Sequence, residues 1–405
     1  MHLNEKGAYV LISIILNSLS HQSHFSMRVL INSISTKKHS GGAYQIAYNF
    51  ISKTLGHPEI EWIYVISKDL DEILPDEVKS KQKYFVFPTQ PDFKHTYRQV
   101  KKELRKLERK EKPDVVYSIS SPSYFSFETK EVMRFTMPWV THPNRFSWSV
   151  LSWKEKLEMH LYCWYQKHLI RKAKFFITQT ETTRQGILRI TGTDPENVKV
   201  VTNVLPSVFQ LIDNSSLPND GDLINIACVG NPSAHKNFDI IPSVLDELRV
   251  IGISNVRFHV TIPEDTPRWA QIQRKMSQLG LKDGIVNHGR ISQVEMADMY
   301  RRCQLCFLPT LLEVFSASTV EAMYFHLPIV ATDFEFNREV MNDACLYYEP
   351  KNARMAAACI KEYLDDESLR DAMKERMEQR LLLYGDYEKH FNEIESFLIY
   401  VASIH

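Results

Sequence analysis

The strongest constraint on this chain's fold is a rhythm that runs through it twice. Short apolar, β-branched runs alternate with longer amphipathic stretches, a pattern that predicts parallel strands joined by crossover helices. In the first half, strands are expected at 28–34, 62–67, 84–87, 114–119, 139–141, 175–179 and 198–201. Helices are expected near 42–55, 94–112, 152–173 and 180–190. The stretch LPSVFQLIDNSSLPNDG (205–221) then interrupts with the Pro, Asn, Ser, Asp and Gly of a connector. A second alternation supplies strands at 224–230, 256–260, 285–289, 305–309, 328–332 and 345–349. Beyond Pro350 the chain reads as helical to its end, with apolar residues at helical spacing in FNEIESFLIYVA (391–402). The expected fold is α/β, with one doubly wound domain over 27–208 and another over 209–385. Two such domains also suit a 405-residue chain, which exceeds what one core usually organises. Their strands' carboxyl ends would face a shared cleft, where open α/β sheets bind ligands.

Charge and cysteine content narrow the partners. Lys plus Arg and Asp plus Glu both number 49, so no global field argues for nucleic acid. Six cysteines without a framework read as a reduced, cytoplasmic chain. The close pair Cys303 and Cys306 lacks a second pair to complete a metal site, and Cys306 opens an apolar run, so both read as small hydrophobes. Residues 1–26 contain an apolar run, Gly7 to Leu19, shorter than the roughly 20 residues that span a bilayer. Only Lys6 precedes it closely and no convincing cleavage site follows, so it reads as an extension ahead of the strand opened by Met27; a signal or anchor segment is the other reading.

Three loops fall at the carboxyl ends of expected strands. In GNPSAHKN (230–237), Lys236 precedes a helix expected near Asp239. A cation there is unfavourable unless an anion occupies the space, so Lys236 is either a phosphate ligand or a solvated loop lysine. In LEVFSASTVEAM (312–323), the amides near Phe315 and Ser316 would open a helix towards an anion. Glu321 stands three residues after Ser318, the spacing of a capping box. Glu313 lies ahead of the helix, placed for sugar hydroxyls or on an open loop. In the first half, Gly41 and Gly42 let backbone approach a ligand at a helix start, without the spacing of a nucleotide-binding GxGxxG or GxxxxGK[ST] motif. His142 follows the strand expected at 139–141 and reads as structural or as a site residue. Asp69 and Asp71 read as a polar turn. The helix expected at 94–112 carries nine Lys/Arg against three Glu, with Tyr97, Val100, Leu104 and Leu107 as its apolar stripe. It is either a solvated outer helix or one that lies on an anionic membrane.

Together these loops resemble those of the retaining glycosyltransferases of GT-B fold, family 4, whose second domain is the glycosyl transferases group 1 domain. The resemblance rests on Glu313 and Glu321 with seven residues between them, EAM at 321–323, LPIVATD at 327–333, Gly230 followed by Lys236 and Asn237, and REVMNDACLYYEP at 338–350. It spans about 222–385, and is looser in the first half, through ITQTETTRQGI (177–187) and VKVVTNVLP (198–206). It implies two Rossmann-like domains, with the last helix, from about 386, crossing back onto the first. Lys236, with Gly230 and Asn231 in the same loop, would hold the donor pyrophosphate. Glu321 would bind the ribose, while Glu313 and the amides of Phe315 and Ser316 would hold the transferred sugar. His142 would lie beside that sugar and the departing phosphate, and Gly41 and Gly42 beside phosphate and acceptor. The implied donor is a nucleotide-diphosphate sugar, with no metal and no other cofactor. The acceptor would be a saccharide or lipid-linked hydroxyl in bacterial surface polysaccharide or glycolipid synthesis, with contact to the inner membrane surface through 94–112. The alternatives are a non-catalytic homologue that binds sugars or a partner, and a nucleotide-sugar epimerase. The chain departs from the family pattern at Asn231, where an arginine is usual, and at Val314, Ser316 and His326, where glycines are usual. Lys37, Lys38 and Arg145 are the candidates to replace the missing cation from across the cleft.

Overall fold

The structure is a computed structural model that describes residues 27–38, 42–88, 96–120, 124–218, 221–281 and 283–404. The expectations for 1–26, for Gly41 and for 94–95 lie outside the described residues. The first sheet holds seven parallel strands: β1 (Arg28–Ser33), β2 (Glu61–Ser67), β3 (Tyr84–Phe87), β4 (Val115–Ser118), β5 (Glu131–Arg134), β6 (Phe175–Thr178) and β7 (Val198–Val200). Their spatial order is β3-β2-β1-β4-β5-β6-β7. The second sheet holds β8 (Ile224–Cys228), β9 (Val256–Val260), β10 (Ile285–Asn287), β11 (Leu305–Leu308), β12 (Ile329–Thr332) and β13 (Cys345–Tyr348), in the order β10-β9-β8-β11-β12-β13. Both sheets are covered on two faces, which is why their strands read as continuous apolar runs and not as alternating ones. In β1, for example, Val29 and Ile31 join one core while Leu30 joins another on the opposite face.

Each sheet reverses its strand order once, between β1 and β4 and between β8 and β11. Ligand crevices of open sheets form at these reversals, because the loops on either side diverge to opposite faces. The pairing of Leu305 with Ile226 and of Cys306 with Ala227 sets β8 and β11 side by side in parallel. The loop holding Lys236 and the loop holding Glu313 therefore leave the sheet as neighbours.

The structure corrects three expectations. Residues 139–141 are not a strand but part of a short helix, Pro138–Thr141, and the fifth strand is Glu131–Arg134. Pro138 at the helix start has its φ preset and no amide to leave unpaired, which outweighs the β-branched character of Val140 and Thr141. The segment 205–221 is not a free connector at its beginning, since Leu205 and Phe209 are buried in the second domain's core and the Leu205 amide donates to the Tyr384 carbonyl at 2.9 Å. After the Lys236 loop the chain makes short 3-10 turns, Ala234–Lys236 and Phe238–Ile240, before an α-helix begins at Ile241, so Lys236 does not abut an α-helix N-terminus.

The final helix, Tyr387–Ser403, packs on the first sheet and not on the second. Phe391, Ile394, Phe397, Leu398 and Val401 share a core with Val29, Ile31, Phe50 and Trp62. Phe391 stacks on Phe50 at 5.0 Å, and the His390 ring donates from Nδ1 to the Thr202 carbonyl at 2.7 Å.

Candidate active site

The two loops at the second sheet's reversal are laced together by their backbones. The Leu311 amide donates to the His235 carbonyl at 2.7 Å, and Asn237 Nδ2 donates to the Pro309 carbonyl at 3.2 Å. Asn237 holds a left-handed backbone, φ 56°, which asparagine tolerates better than most residues. This lacing brings Lys236 Nζ into an ion pair with Glu313 Oε2. The lysine stem lies against Gly230, where a Cβ would meet its Cδ at 3.5 Å and the Phe238 ring at 3.3 Å. Glycine there leaves the stem and the Phe238 ring uncrowded, since an added Cβ would press slightly on the ring.

Burial works to raise the Glu313 carboxyl, but the Lys236 ammonium outweighs it, helped by His235 and His142, and leaves the group below its ordinary value. The chain thus holds an anion and a cation at the mouth of the crevice, each serving as the other's counter-ion. Asn231 is exposed and turned inward on its own loop, its Oδ1 accepting from the Ser233 amide at 3.1 Å.

Glu321 is placed differently from the sequence expectation. The N-cap of its helix, Ala317–Tyr324, is Ser316, which makes no side-chain cap, so Ser318 and Glu321 form no capping box. Glu321 is 5% exposed and accepts from the Tyr300 hydroxyl at 2.9 Å. Burial pushes its carboxyl up to about 7, although the Tyr300 hydrogen bond and the Lys236 charge pull the other way. Lys236 therefore acts on both glutamates. Among the described residues, the Phe315 and Ser316 amides meet no acceptor, as expected of the residues that open a helix.

The first domain reaches these loops through the corner that follows Pro138. His142 accepts at Nδ1 from the Thr141 hydroxyl at 2.8 Å and donates from Nε2 to the Glu313 carbonyl at 2.7 Å. A carbonyl only accepts, so this partner fixes the tautomer with the proton on Nε2. Burial holds the imidazole below its ordinary value, against the Glu313 carbonyl and carboxylate, so the ring is neutral. Asn144 Nδ2 donates to the Leu311 carbonyl at 2.7 Å, and Leu312 is buried in the first domain's core beside Trp139. His142 and Glu313 thus come together across the cleft, through backbone at the glutamate.

Other expected residues stand apart. Gly42 begins the Gly42–Lys53 helix. Lys38 is paired with Glu72 at 2.7 Å and its amide donates to Asp69, while the Arg145 guanidinium lies over the Phe146 ring at 4.6 Å. Neither is held towards the Lys236 loop. Asp69 and Asp71 belong to a short helix, Lys68–Asp71, and Asp71 accepts from the Tyr84 hydroxyl at 2.6 Å. Cys303 and Cys306 are buried in an apolar cluster, and burial pushes the Cys303 thiol up to about 12.

Two contributors went unread in the sequence. Glu339, from the Glu335–Met341 helix, crosses the cleft to accept from the Glu181 and Thr182 amides and the Thr182 hydroxyl, the last at 2.8 Å. Gly186 lets the Glu181–Thr191 helix abut the Pro138–Thr141 turn, since a Cβ there would lie 2.5 Å from Thr141 Cβ. No local signal marks Glu339, whose partners are more than 150 residues away in sequence. Beside these contacts a cavity of about 520 Å³ opens, lined by His142, Thr182, Arg189, Glu335, Arg338 and Glu339.

With this geometry in view, the likeness to known proteins is informative. Residues 210–380 match the family model of glycosyl transferases group 1, and residues 77–204 match that of the glycosyl transferase 4-like domain. The O-antigen chain mannosyltransferase RfbU of Salmonella typhimurium is 23% identical over 196 residues, 48% of this chain and 52% of that protein. The alpha-D-kanosaminyltransferase of Streptomyces kanamyceticus is 23% identical over 221 residues, 52% of this chain and 56% of that protein. The chain spans about half the length of the curated relatives it matches. A solved glycosyltransferase from Rickettsia africae superposes with a TM-score of 0.70 at 13% identity, covering 94% of this chain and 100% of that one. Anabaena HepE in complex with UDP and glucose superposes with a TM-score of 0.65, again at 13% identity and over 94% and 100% of the two chains. These likenesses establish the two-domain architecture, and with both domain models matched in order along it, the chain belongs to the GT-B glycosyltransferases of family 4 type.

Proposed function

We propose that the protein transfers a sugar from a nucleotide-diphosphate sugar to an acceptor hydroxyl, with retention of anomeric configuration, in the assembly of a bacterial surface polysaccharide or glycolipid. The observation that carries this reading is the Lys236–Glu313 ion pair at the reversal of the second sheet. A donor diphosphate would replace Glu313 as the counter-ion of Lys236. The released carboxylate would then accept from hydroxyls of the sugar.

The chemistry needs charge stabilisation more than a protein nucleophile. The acceptor oxygen bonds to the anomeric carbon as the bond from that carbon to the phosphate oxygen breaks. The electron pair leaves with the nucleoside diphosphate, and the acceptor's proton passes to the departing phosphate. Lys236 and the amides of Phe315 and Ser316 would stabilise the negative charge that develops there. Glu321, beneath the crevice, is the candidate for the ribose, and His142 the donor nearest the sugar. Gly41 and Gly42 would approach the phosphate and the acceptor from the first domain. No step of this scheme calls for a metal ion. Asn231 supplies no cation, so the clamp rests on Lys236 more heavily than in relatives with an arginine there.

A thermal-shift screen of nucleoside diphosphates and their sugars should find a class that raises the melting temperature, since ligands that bind only the folded state stabilise it. Calorimetry with that class should show binding to the native protein and none to Lys236→Ala. Unchanged affinity in the variant would overturn the assignment. Proton NMR of the product linkage tests retention.

A further inference from the structure

We propose that the Trp153–Ile170 helix is a membrane-docking surface that inserts its outer face into the interface of an anionic bilayer. This helix is apolar on two sides. Cys163, Gln166 and Ile170 face inward, and the helix begins at a Ser152–Glu155 capping box. On the outer side stand Trp153, Leu157, Leu161 and Trp164, which are 71%, 56%, 62% and 69% exposed. At about 100° per residue the four fall within an arc of about 80°, a continuous stripe along the helix. Single exposed apolar residues need no explanation, but a stripe with two tryptophans does. Tryptophan is the side chain that favours the boundary between headgroups and acyl chains.

The charges around the stripe select the partner. Between residues 153 and 174 there are six Lys/Arg and two Glu. At about 100° per residue Lys154 stands at one edge of the stripe, with Glu158 beyond it, and Lys167 and Lys156 stand beside the other edge, while Glu155 lies farther round. Lys154 Nζ sits 5.5 Å from the Trp153 ring. This arrangement lets lysines reach headgroup phosphates while their stems cover apolar surface.

The basic Tyr97–Glu111 helix extends the same surface. Tyr97 donates to the Tyr124 carbonyl at 2.9 Å, and Tyr124 stacks on Tyr165 of the tryptophan-bearing helix at 6.5 Å. Lys101, Lys172 and Lys174 line one cavity of about 390 Å³ between the two helices. Arg98, Lys102, Arg105 and Lys106 are exposed beyond it. The basic helix thus supplies charge, and its neighbour supplies the apolar anchor that it lacks. A second copy of this chain is a poorer occupant, because a two-fold contact through the stripe would set these lysines against one another. Among the described residues no helix is long and apolar enough to cross a membrane, so the contact is peripheral.

The full chain should sediment with vesicles of phosphatidylcholine and phosphatidylglycerol, weakly with phosphatidylcholine alone, and less as salt rises. The double variant Trp153→Ser, Trp164→Ser should lose about tenfold or more of that binding with an unchanged melting temperature, since both rings are exposed. Absence of wild-type binding to the anionic vesicles, or equal binding by the variant, would overturn the proposal. So would a wild-type dimer in sedimentation equilibrium that the variant abolishes, which would assign the stripe to self-association. No sugar nucleotide enters the assay, so its failure would leave the transfer reading untouched.

Discussion

Glu321 is the residue whose placement has the most measurable consequence. Its carboxyl is raised to about 7 by burial, from an ordinary value of 4.5. A carboxyl raised on folding favours the protonated native state, so its stabilising contribution is complete below about pH 4.5 and is lost as pH rises through about 7. At pH 8 the difference corresponds to roughly 3 kcal/mol of lost stability. Glu321→Gln keeps the neutral form at every pH and still offers an oxygen to the Tyr300 hydroxyl. Chemical denaturation should find the variant more stable than the native protein by up to about 3 kcal/mol at pH 8, and equal to it at pH 4. Equal stability at both values would mean that the carboxylate is already compensated in the native protein. The Ser318–Glu321 spacing had suggested a helix cap, and the physical reason it fails is position. The helix begins one residue before Ser318, at Ala317, so both side chains lie inside it, and Glu321 turns down to Tyr300.

At the level of elements, the corner that carries His142 is built by close packing and not by local propensity. The Glu181–Thr191 helix presses Gly186 against Thr141, and Arg189 donates to the Thr141 carbonyl at 3.2 Å. Gly186→Ala would put a methyl group 2.5 Å from Thr141 Cβ and 2.7 Å from its carbonyl oxygen, so the corner must move. Over-packing of this kind costs about 1–3 kcal/mol, and the displaced His142 should lower sugar transfer beyond what the stability loss explains. Normal stability and turnover in the variant would show that the corner yields without consequence. This packing also marks where the sequence stops being legible. The second sheet, six of the first sheet's seven strands and the first domain's long helices could be read, because strands buried on two faces and crossover helices each have their own period. Residues 139–141 could not, since Trp139, Val140 and Thr141 suit a strand, and their helical turn follows from Pro138 and from what packs on it. The tryptophan-bearing helix was legible as a helix but not as a surface, because apolar residues on two opposite sides blur the one-sided pattern that marks a membrane-facing helix. Lys236 and Glu313 were visible as loop residues at strand ends, and His142 as a candidate behind what proved to be a helical turn, whereas their mutual contacts depend on the lacing of Leu311 to His235 and on Asn144 across the cleft.

For the whole molecule, the question is what holds the two domains in register. Beside Leu312, buried in the first domain's core, three polar contacts described above cross the cleft: His142 to the Glu313 carbonyl, Asn144 to the Leu311 carbonyl, and Glu339 to the first turn of the Glu181–Thr191 helix. The first two end on the loop that carries Glu313, which under the proposed exchange would move as a diphosphate replaces Glu313 at Lys236. Glu339 is different, because it grips a helix N-terminus at a distance from that exchange. Its carboxylate accepts from two amides and a hydroxyl, and the helix dipole reinforces the attraction. Charged hydrogen bonds of this sort contribute about 1.5–3 kcal/mol each, enough to bias a two-state opening of the domains. Glu339→Ala should therefore show a larger radius of gyration in small-angle scattering than the native protein, and faster hydrogen exchange at the Glu181 and Thr182 amides. It should do so without losing either domain's fold, because Glu339 lies at the cleft and not in a core. Scattering identical to the native protein would mean that His142, Asn144 and the buried Leu312 suffice to hold the domains together. The donor loop would then be both lock and binding site, and nucleotide binding and domain opening would be inseparable events.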